Sequence, residues 1–233
     1  TPMTSPTFTH LRVHSEYSIV DGLVRIDDLV GAAAKDKQPA LAVTDLANMF
    51  CMVRFYKAAR GKGIKPIIGV DAWITNEDNR EKPSRLLILA KNHTGYLQLC
   101  DLLSRAWLTN QYKGRAEFRI EWLEALATSK STLEPDADQA NGLIVLSGAC
   151  FGDVGQAIDN GDIERAERNA ARWARIFPGH FYIEIQRAGA SNQEQAVRHS
   201  VALAGRLGLP VVATHPVQFI SKDEFIAHEA RTC

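Results

Sequence analysis

The sequence carries no net charge to speak of: 27 Lys and Arg are matched by 27 Asp and Glu. That balance excludes the strongly basic face of an autonomous nucleic-acid binder. Its four cysteines (Cys51, Cys100, Cys150, Cys233) are far apart and form no C-x-x-C pair, so zinc ribbons and fingers are excluded and reduced thiols are expected. No run approaches the roughly 18 apolar residues of a membrane span, and Thr1 to His10 lack a basic stretch followed by an apolar block. A soluble, cytoplasmic protein without membrane attachment is the expectation. Glycine-rich phosphate loops are missing as well: no apolar run leads into G-x-G-x-x-G, and nothing resembles a P-loop or a polymerase palm. Internal repeats and low-complexity tracts are absent.

What is present is a chain of 233 residues, 45% hydrophobic, long enough to bury a sizeable core as one α/β domain spanning residues 1–233. Thr1-Pro2 ahead of Met3 reads as a cloning remnant, and the end from Lys222 reads as a helix without a stop signal, as in an excised N-terminal piece of a longer protein. Short β-branched runs predict strands at Phe8–Val13, Ala40–Thr44, Ile67–Ile74, Leu86–Ala90, Leu143–Ser147, Phe181–Gln186 and Val211–Thr214. Helical periodicity predicts Ile26–Lys35, Met49–Arg60, Tyr96–Leu108, Ile163–Ile176 and Gln193–Leu207, with shorter helices at Ile120–Ala127 and Val154–Ile158. The alternation implies a parallel sheet surrounded by helices. A barrel is favoured over a doubly wound sheet because His14, Asp45, Asp71, Cys150 and His215 stand at or beyond strand ends, where a barrel gathers its site. The polar stretches Asn76–Ser84 and Thr128–Gly142 are expected to be surface excursions.

The most specific local signal is His10-Leu-Arg-Val-His14-Ser-Glu-Tyr-Ser-Ile-Val-Asp21-Gly. Side chains alternate along a strand, which puts His10, Arg12 and His14 on one face. Those imidazoles, with Asp21 returning from the next loop, could hold a divalent metal; equally, they could be hydrogen-bonded histidines beside a helix-initiating Asp. Other candidates have plainer readings. Phe50, Phe55 and Tyr56 are expected in the core, His180 in a Pro-Gly turn, His199 packed on a helix, and Lys57, Arg60, Lys62 and Lys65 around a solvated helix end.

His10–Leu23 is one of a set of blocks that together resemble a known family. The others are Pro39-Ala-Leu-Ala-Val-Thr-Asp45-Leu46-Ala-Asn48, Gly63-Ile-Lys-Pro-Ile-Ile-Gly69-Val-Asp71 and Leu87-Ile-Leu-Ala-Lys-Asn92-His-Thr-Gly95-Tyr96. Gly142–Gly148, Phe181–Gln186, Gly208–Thr214 and Ala227-His-Glu229 follow in order. The set is similar to the PHP (polymerase and histidinol phosphatase) domain that opens bacterial replicative polymerase alpha subunits. The resemblance implies a distorted (βα)7 TIM-like barrel and, in active members, several metal ions held by His, Asp, Glu or Cys for phosphoester hydrolysis.

Position by position, that ligand set is depleted. The family's opening His-x-His reads Arg12-Val13-His14, although His14 and Asp21 remain. Thr-Asp-His reads Thr44-Asp45-Leu46, and the family's Glu is the shorter Asp71. Arg85 replaces a His, the thiol position falls on Ala149 with Cys150 one residue late, and Glu184 is kept while the His beyond it is Ala188. Asn-Asp-x-His reads His215-Pro216-Val217-Gln218. Arginine cannot offer a lone pair to a metal, and leucine has no donor atom. The expectation is therefore no catalytic residue and no bound metal, with Arg12 and Arg85 pairing Asp45, Asp71 or Glu184 in a salt-bridged plug. If one ion were kept, His14, Asp21, Asp45, Asp71 and Glu184 would hold it, joined by His10, Cys150 or His215.

By this resemblance the chain is a structural and docking module of the alpha subunit. Its partners would be the rest of that subunit and the proofreading exonuclease, with DNA met only indirectly. Polymerisation, with its Mg, would belong to the remainder of the subunit. The rival is a residual metal-dependent phosphoesterase, a 3′–5′ exonuclease or pyrophosphatase.

Overall fold

A computed structural model describes residues 8–128, 142–189 and 193–232. In chain order the elements are α1 Ile26–Lys35, β1 Ala40–Val43, α2 Met52–Gly61, β2 Lys65–Ile74, β3 Ser84–Ala90 and α3 His93–Thr109. There follow β4 Gln111–Tyr112, β5 Arg115–Phe118, α4 Ile120–Thr128, β6 Leu143–Leu146, α5 Asp153–Asp159 and α6 Ile163–Ile176. The chain continues with β7 Phe181–Gln186, α7 Gln193–Leu207, β8 Val211–Thr214 and α8 Phe225–Thr232.

Helix starts follow local chemistry. Asn92 caps α3 by accepting from the Gly95 amide at 2.9 Å, and Asp162 caps α6 by accepting from the Arg165 amide at 3.0 Å. The expected helix from Met49 begins at Met52 instead. Asn48 Oδ1 accepts from the Phe50 amide at 3.1 Å, and Ala47 has a left-handed φ of 55°, which holds that stretch in a turn. Of the two expected loops, residues 76–83 connect β2 and β3, whereas residues 129–141 lie outside the described residues.

The sheet runs β2-β3-β6-β7-β8, with β1 parallel to β2 on its other side. Residues 10–14 close the ring. The Ala42 and Thr44 amides donate to His10 and Val13 carbonyls at 2.9 Å each, while His14 N donates to Val217 O at 2.9 Å beyond β8. The result is a distorted TIM-like barrel. The expected first strand, Phe8–Val13, is not a regular strand. Two residues of β1's edge span three of the first segment, a bulge reinforced by the Val13 amide donating to Thr44 Oγ1 at 3.1 Å.

The expectation of an all-parallel ring needs a further correction, because β3 pairs antiparallel with both β2 and β6. Residues 75–83 are too few for a crossover helix, so the chain simply turns back after β2. The hairpin β4–β5 hangs outside the ring, with β5 parallel to the end of β2.

Both faces of the ring are covered. Val70, Ala72, Leu86, Ile88, Val145 and Ile183 face helices through Leu99, Leu102, Ala166 and Trp173. The alternate residues Leu87, Leu89 and Leu146 face inward with Ile67, Tyr182 and Val212. Continuing the same inward alternation past Ile67, Tyr182 and Val212 brings Asp71, Glu184 and Thr214 to one end of the interior. Among the expected core aromatics, Phe55 is fully buried, but Phe50 is 68% exposed and Tyr56 is exposed too. Phe50 precedes the helix, and Tyr56 lies on its outer side, so neither shares the stripe that buries Phe55 and Ala59. No described helix is long and apolar enough to cross a membrane.

Candidate functional site

The inward charged residues meet at the end of the barrel where β1, β7 and β8 finish. Arg12, only 3% exposed, lies between two fully buried carboxylates. Its Nε and Nη2 donate to Glu184 Oε1 and Oε2 at 2.8 and 3.0 Å, a two-pronged pair, and its Nη1 donates to Asp71 Oδ2. Arg85 Nη1 also reaches Asp71 Oδ2, at 3.2 Å. The Arg85 guanidinium is sandwiched between the Trp73 and Phe151 rings, 5.0 and 3.9 Å from their centroids.

His14 bridges two acids. Its Nδ1 lies 2.8 Å from Asp21 Oδ1, and its Nε2 lies 3.0 Å from Asp71 Oδ2. Burial opposes its charge, but the hydrogen bonds to Asp21 and Asp71 and their negative charge prevail and raise its pKa to about 9. Burial likewise works against ionised Asp71, yet Arg12, then Arg85 and His14, hold its carboxyl well below the usual range. With His14 protonated, Arg12, Arg85 and His14 balance Asp21, Asp71 and Glu184 charge for charge.

Backbone and hydroxyl donors complete the cluster. Glu184 accepts from Thr214 Oγ1 at 2.5 Å and from the Gly148 amide at 3.1 Å. Gly148 has φ 84°, and a side chain there would strike the Arg85 carbonyl at 2.3 Å, so the close approach requires glycine. Gln218 Nε2 donates to Asp21 Oδ2 at 2.8 Å, a neutral tie to the cluster.

Several expected members lie elsewhere. Asp45 does not pair with either arginine: the Ser15 amide and hydroxyl bind it at 2.6 and 2.8 Å and the Ser18 hydroxyl at 2.8 Å. Ser15 and Ser18, between His14 and Asp21 in sequence, are the partners that ligand counting overlooks, together with Thr214. His10 does not share a site with Arg12 and His14, because the bulge interrupts the alternation; its ring faces His215, 6.5 Å between centroids. Leu46 offers only backbone, its amide donating to Ser18 Oγ at 2.9 Å. Ala149 is buried with φ 49°, and Cys150 is exposed on the same turn. Ala188 lies outside the barrel end, its amide on Gln193 Oε1 at 2.6 Å, and Pro216 lines a separate cavity with His215. His180 sits in its turn, Nδ1 3.1 Å from Pro178 O.

The donor set does not fit a divalent ion. Both Glu184 oxygens and Asp71 Oδ2 are occupied by cationic donors, and a guanidinium stands where an ion would be shared. Asp71 Oδ1 is buried without a partner, but one oxygen beside Arg12, Arg85 and charged His14 would bring a dication against three positive groups. Among the described residues, no three His, Cys, Asp or Glu side chains are placed to hold a metal.

The PHP domain family model matches residues 10–188. The chain is 46% identical over 99% of its length to DNA polymerase III subunit alpha of Neisseria meningitidis serogroup A, covering 19% of that relative. It is 44% identical over 97% of its length to DNA polymerase III subunit alpha of Pseudomonas fluorescens, covering 18% of it. The chain thus spans less than a fifth of the length of these curated relatives. Among solved structures, an amidohydrolase from Chromobacterium violaceum with bound sulfate and no metal aligns over 96% of each chain, with a TM-score of 0.57 and 15% identity. That likeness is one of fold.

Proposed function

The chain belongs to the PHP domain family, and from that membership we propose that the whole of it, residues 1–233, is the N-terminal PHP module of a cytoplasmic DNA polymerase III alpha subunit. Its role in DNA replication is to brace the rest of the subunit and to dock the proofreading exonuclease, with no reaction at the old metal site. One observation carries the loss of chemistry: Arg12 joins Glu184 and Asp71 at the centre of the barrel end. Metal-assisted hydrolysis requires an ion that acidifies a bound water and neutralises charge developing on phosphate. A guanidinium supplies fixed positive charge and holds the carboxylates together, but it cannot ligate and activate water.

The docking role is supported by the even charge balance, which suits a protein contact better than a DNA groove. Its test is a pull-down of the proofreading exonuclease subunit by the chain. Retention at micromolar concentration is expected, and no association would refute docking through this module. The phosphoesterase reading would need His14, Asp21, Asp45, Asp71 and Glu184 to leave their present partners, Arg12, Ser15 and Ser18 among them, and gather an ion. An assay of nucleotide or phosphate release with added Mn separates the two: no activity is expected, while release that His14→Ala abolishes would establish the enzyme.

A further inference from the structure

The even total charge hides an uneven distribution. Between Asp45 and Asp71 the chain carries no acid, while Lys57, Arg60, Lys62 and Lys65 are all exposed. α1 packs beside α2 through Leu29, Ala33, Phe55 and Ala59, and the Lys65 amide donates to the Pro39 carbonyl at 3.0 Å, which brings exposed Lys35 and Lys37 to the same end of the barrel. Among the described residues none of these cations makes an ion pair, whereas Arg54 on the same helix pairs with Asp27 and Glu16, and Lys113 pairs with Glu81. The acid among them, Asp36, accepts from Gln38 Nε2 at 2.9 Å. The helix dipole accounts for cations in a last turn. It does not account for Lys65, which stands on β2, or for Lys37, which holds a left-handed φ of 56° where glycine would be at ease.

The same helix presents apolar side chains to solvent. Val53, Tyr56, Lys57 and Arg60 recur at helical spacing on the side turned away from buried Phe55 and Ala59, and Phe50 stands just ahead of them. Phe50 is 68% exposed and Val53 57%. The outer face of α2 therefore runs from an apolar half, Phe50, Val53 and Tyr56, into a basic half, Lys57 to Lys65. Nucleic acid carries a phosphate at every base, so a site for it interleaves rings with cations. Here the two are segregated along the helix, a pattern that a protein segment can match and a nucleic acid cannot. We infer that this face docks a protein segment in which apolar residues run into a cluster of Asp and Glu. The apolar end would cover Phe50, Val53 and Tyr56, and the acids would meet cations that have no acid of their own. The inference gives the docking reading a surface and a partner chemistry and rests on it for the existence of a partner; a synthetic segment tests the face apart from the exonuclease pull-down, so either can fail alone.

The test is an NMR titration of the isotope-labelled chain with a peptide whose Leu- and Phe-rich half runs into an Asp- and Glu-rich half, a peptide of the same composition with acids and apolar residues interspersed, and single-stranded oligothymidylate. Saturable shifts at Val53, Tyr56, Arg60 and Lys62 are expected with the first peptide, and about fivefold weaker binding with the interspersed one. Lys62→Glu combined with Lys65→Glu should weaken the first peptide about tenfold, and Phe50→Ser about fivefold. These side chains are exposed, so the substitutions leave the core intact. No saturable shift on α2, equal binding of the interspersed peptide, or binding unmoved by these substitutions would overturn the inference. Tighter binding of oligothymidylate than of the first peptide would make this a nucleic-acid face and overturn the protein occupant.

Discussion

Replacing Arg12 by methionine keeps much of the side-chain volume and removes the cation between Asp71 and Glu184. Both carboxylates have fully buried side chains, so neither can recover its solvation. Breaking a buried ion pair by deleting one partner typically costs about 3–5 kcal/mol. Here Arg85 still reaches Asp71 at 3.2 Å, and Gly148 and Thr214 still donate to Glu184, which places the expected loss near the lower end, about 3 kcal/mol. In a chain of this size that corresponds to a fall in Tm of about 6–12 °C. Urea unfolding should show the same loss as a lower midpoint with an unchanged slope. A second variant isolates the cause: Arg12→Met combined with Glu184→Gln removes the stranded charge, leaves Arg85 and His14 against Asp21 and Asp71, and should regain more than half of the loss. A single-variant loss below about 1 kcal/mol, or no recovery in the double variant, would refute the argument that Arg12 acts by compensating buried charge.

The pKa of His14, raised in the folded state to about 9, makes stability pH-dependent. Its contribution is complete below the unfolded value of about 6.5 and is lost as pH rises through about 9, on the order of 3 kcal/mol in all. Unfolding free energies across that window should fall in the parent chain and stay flatter in His14→Gln; parallel profiles would contradict the raised pKa. For the aromatics in and just before α2, Phe55→Ala should cost about 3–5 kcal/mol, as expected for a fully buried aromatic, whereas Phe50→Ser should stay within about 0.5 kcal/mol by urea titration. Similar losses for both would contradict the exposure of Phe50.

Much of the barrel could be read from periodicity alone. The limits of α1, α6, α7, β7 and β8 coincide with their sequence patterns, because each is a helical stripe of apolar residues or a short run of strand-forming residues. The direction of β3 was hidden: an apolar run looks the same whichever way it crosses a sheet, and only the short 75–83 connection constrains it. The first segment misled for a related reason. Strict alternation would place His10 with Arg12 and His14, but a bulge sends His10 to the cavity beside His215. The hairpin β4–β5 turns at Lys113-Gly114, both at positive φ, without the Asn-Gly signal that marks such turns in sequence.

At the site, the resemblance alone pointed to Arg12, Leu46, Arg85, Ala149, Ala188, Pro216 and Gln218 as standing at the family's ligand positions, residue by residue. Which acid each arginine meets was not legible, since Asp45, Asp71 and Glu184 are equivalent as sequence letters. Geometry separates them: Asp71 and Glu184 face the guanidiniums, while Asp45 turns to the hydroxyls of Ser15 and Ser18. Hydroxyl donors close in sequence carry no recognisable pattern of their own, which is why they escape a search for metal ligands.

The central claim, that a salt-bridged cluster has replaced the family's metal centre, is tested most directly by elemental analysis of the chain purified without chelators and dialysed with Zn and Mn. The account predicts far less than one ion per chain of either metal, unchanged in His14→Ala. A stoichiometric ion that survives dialysis and disappears in His14→Ala would contradict it.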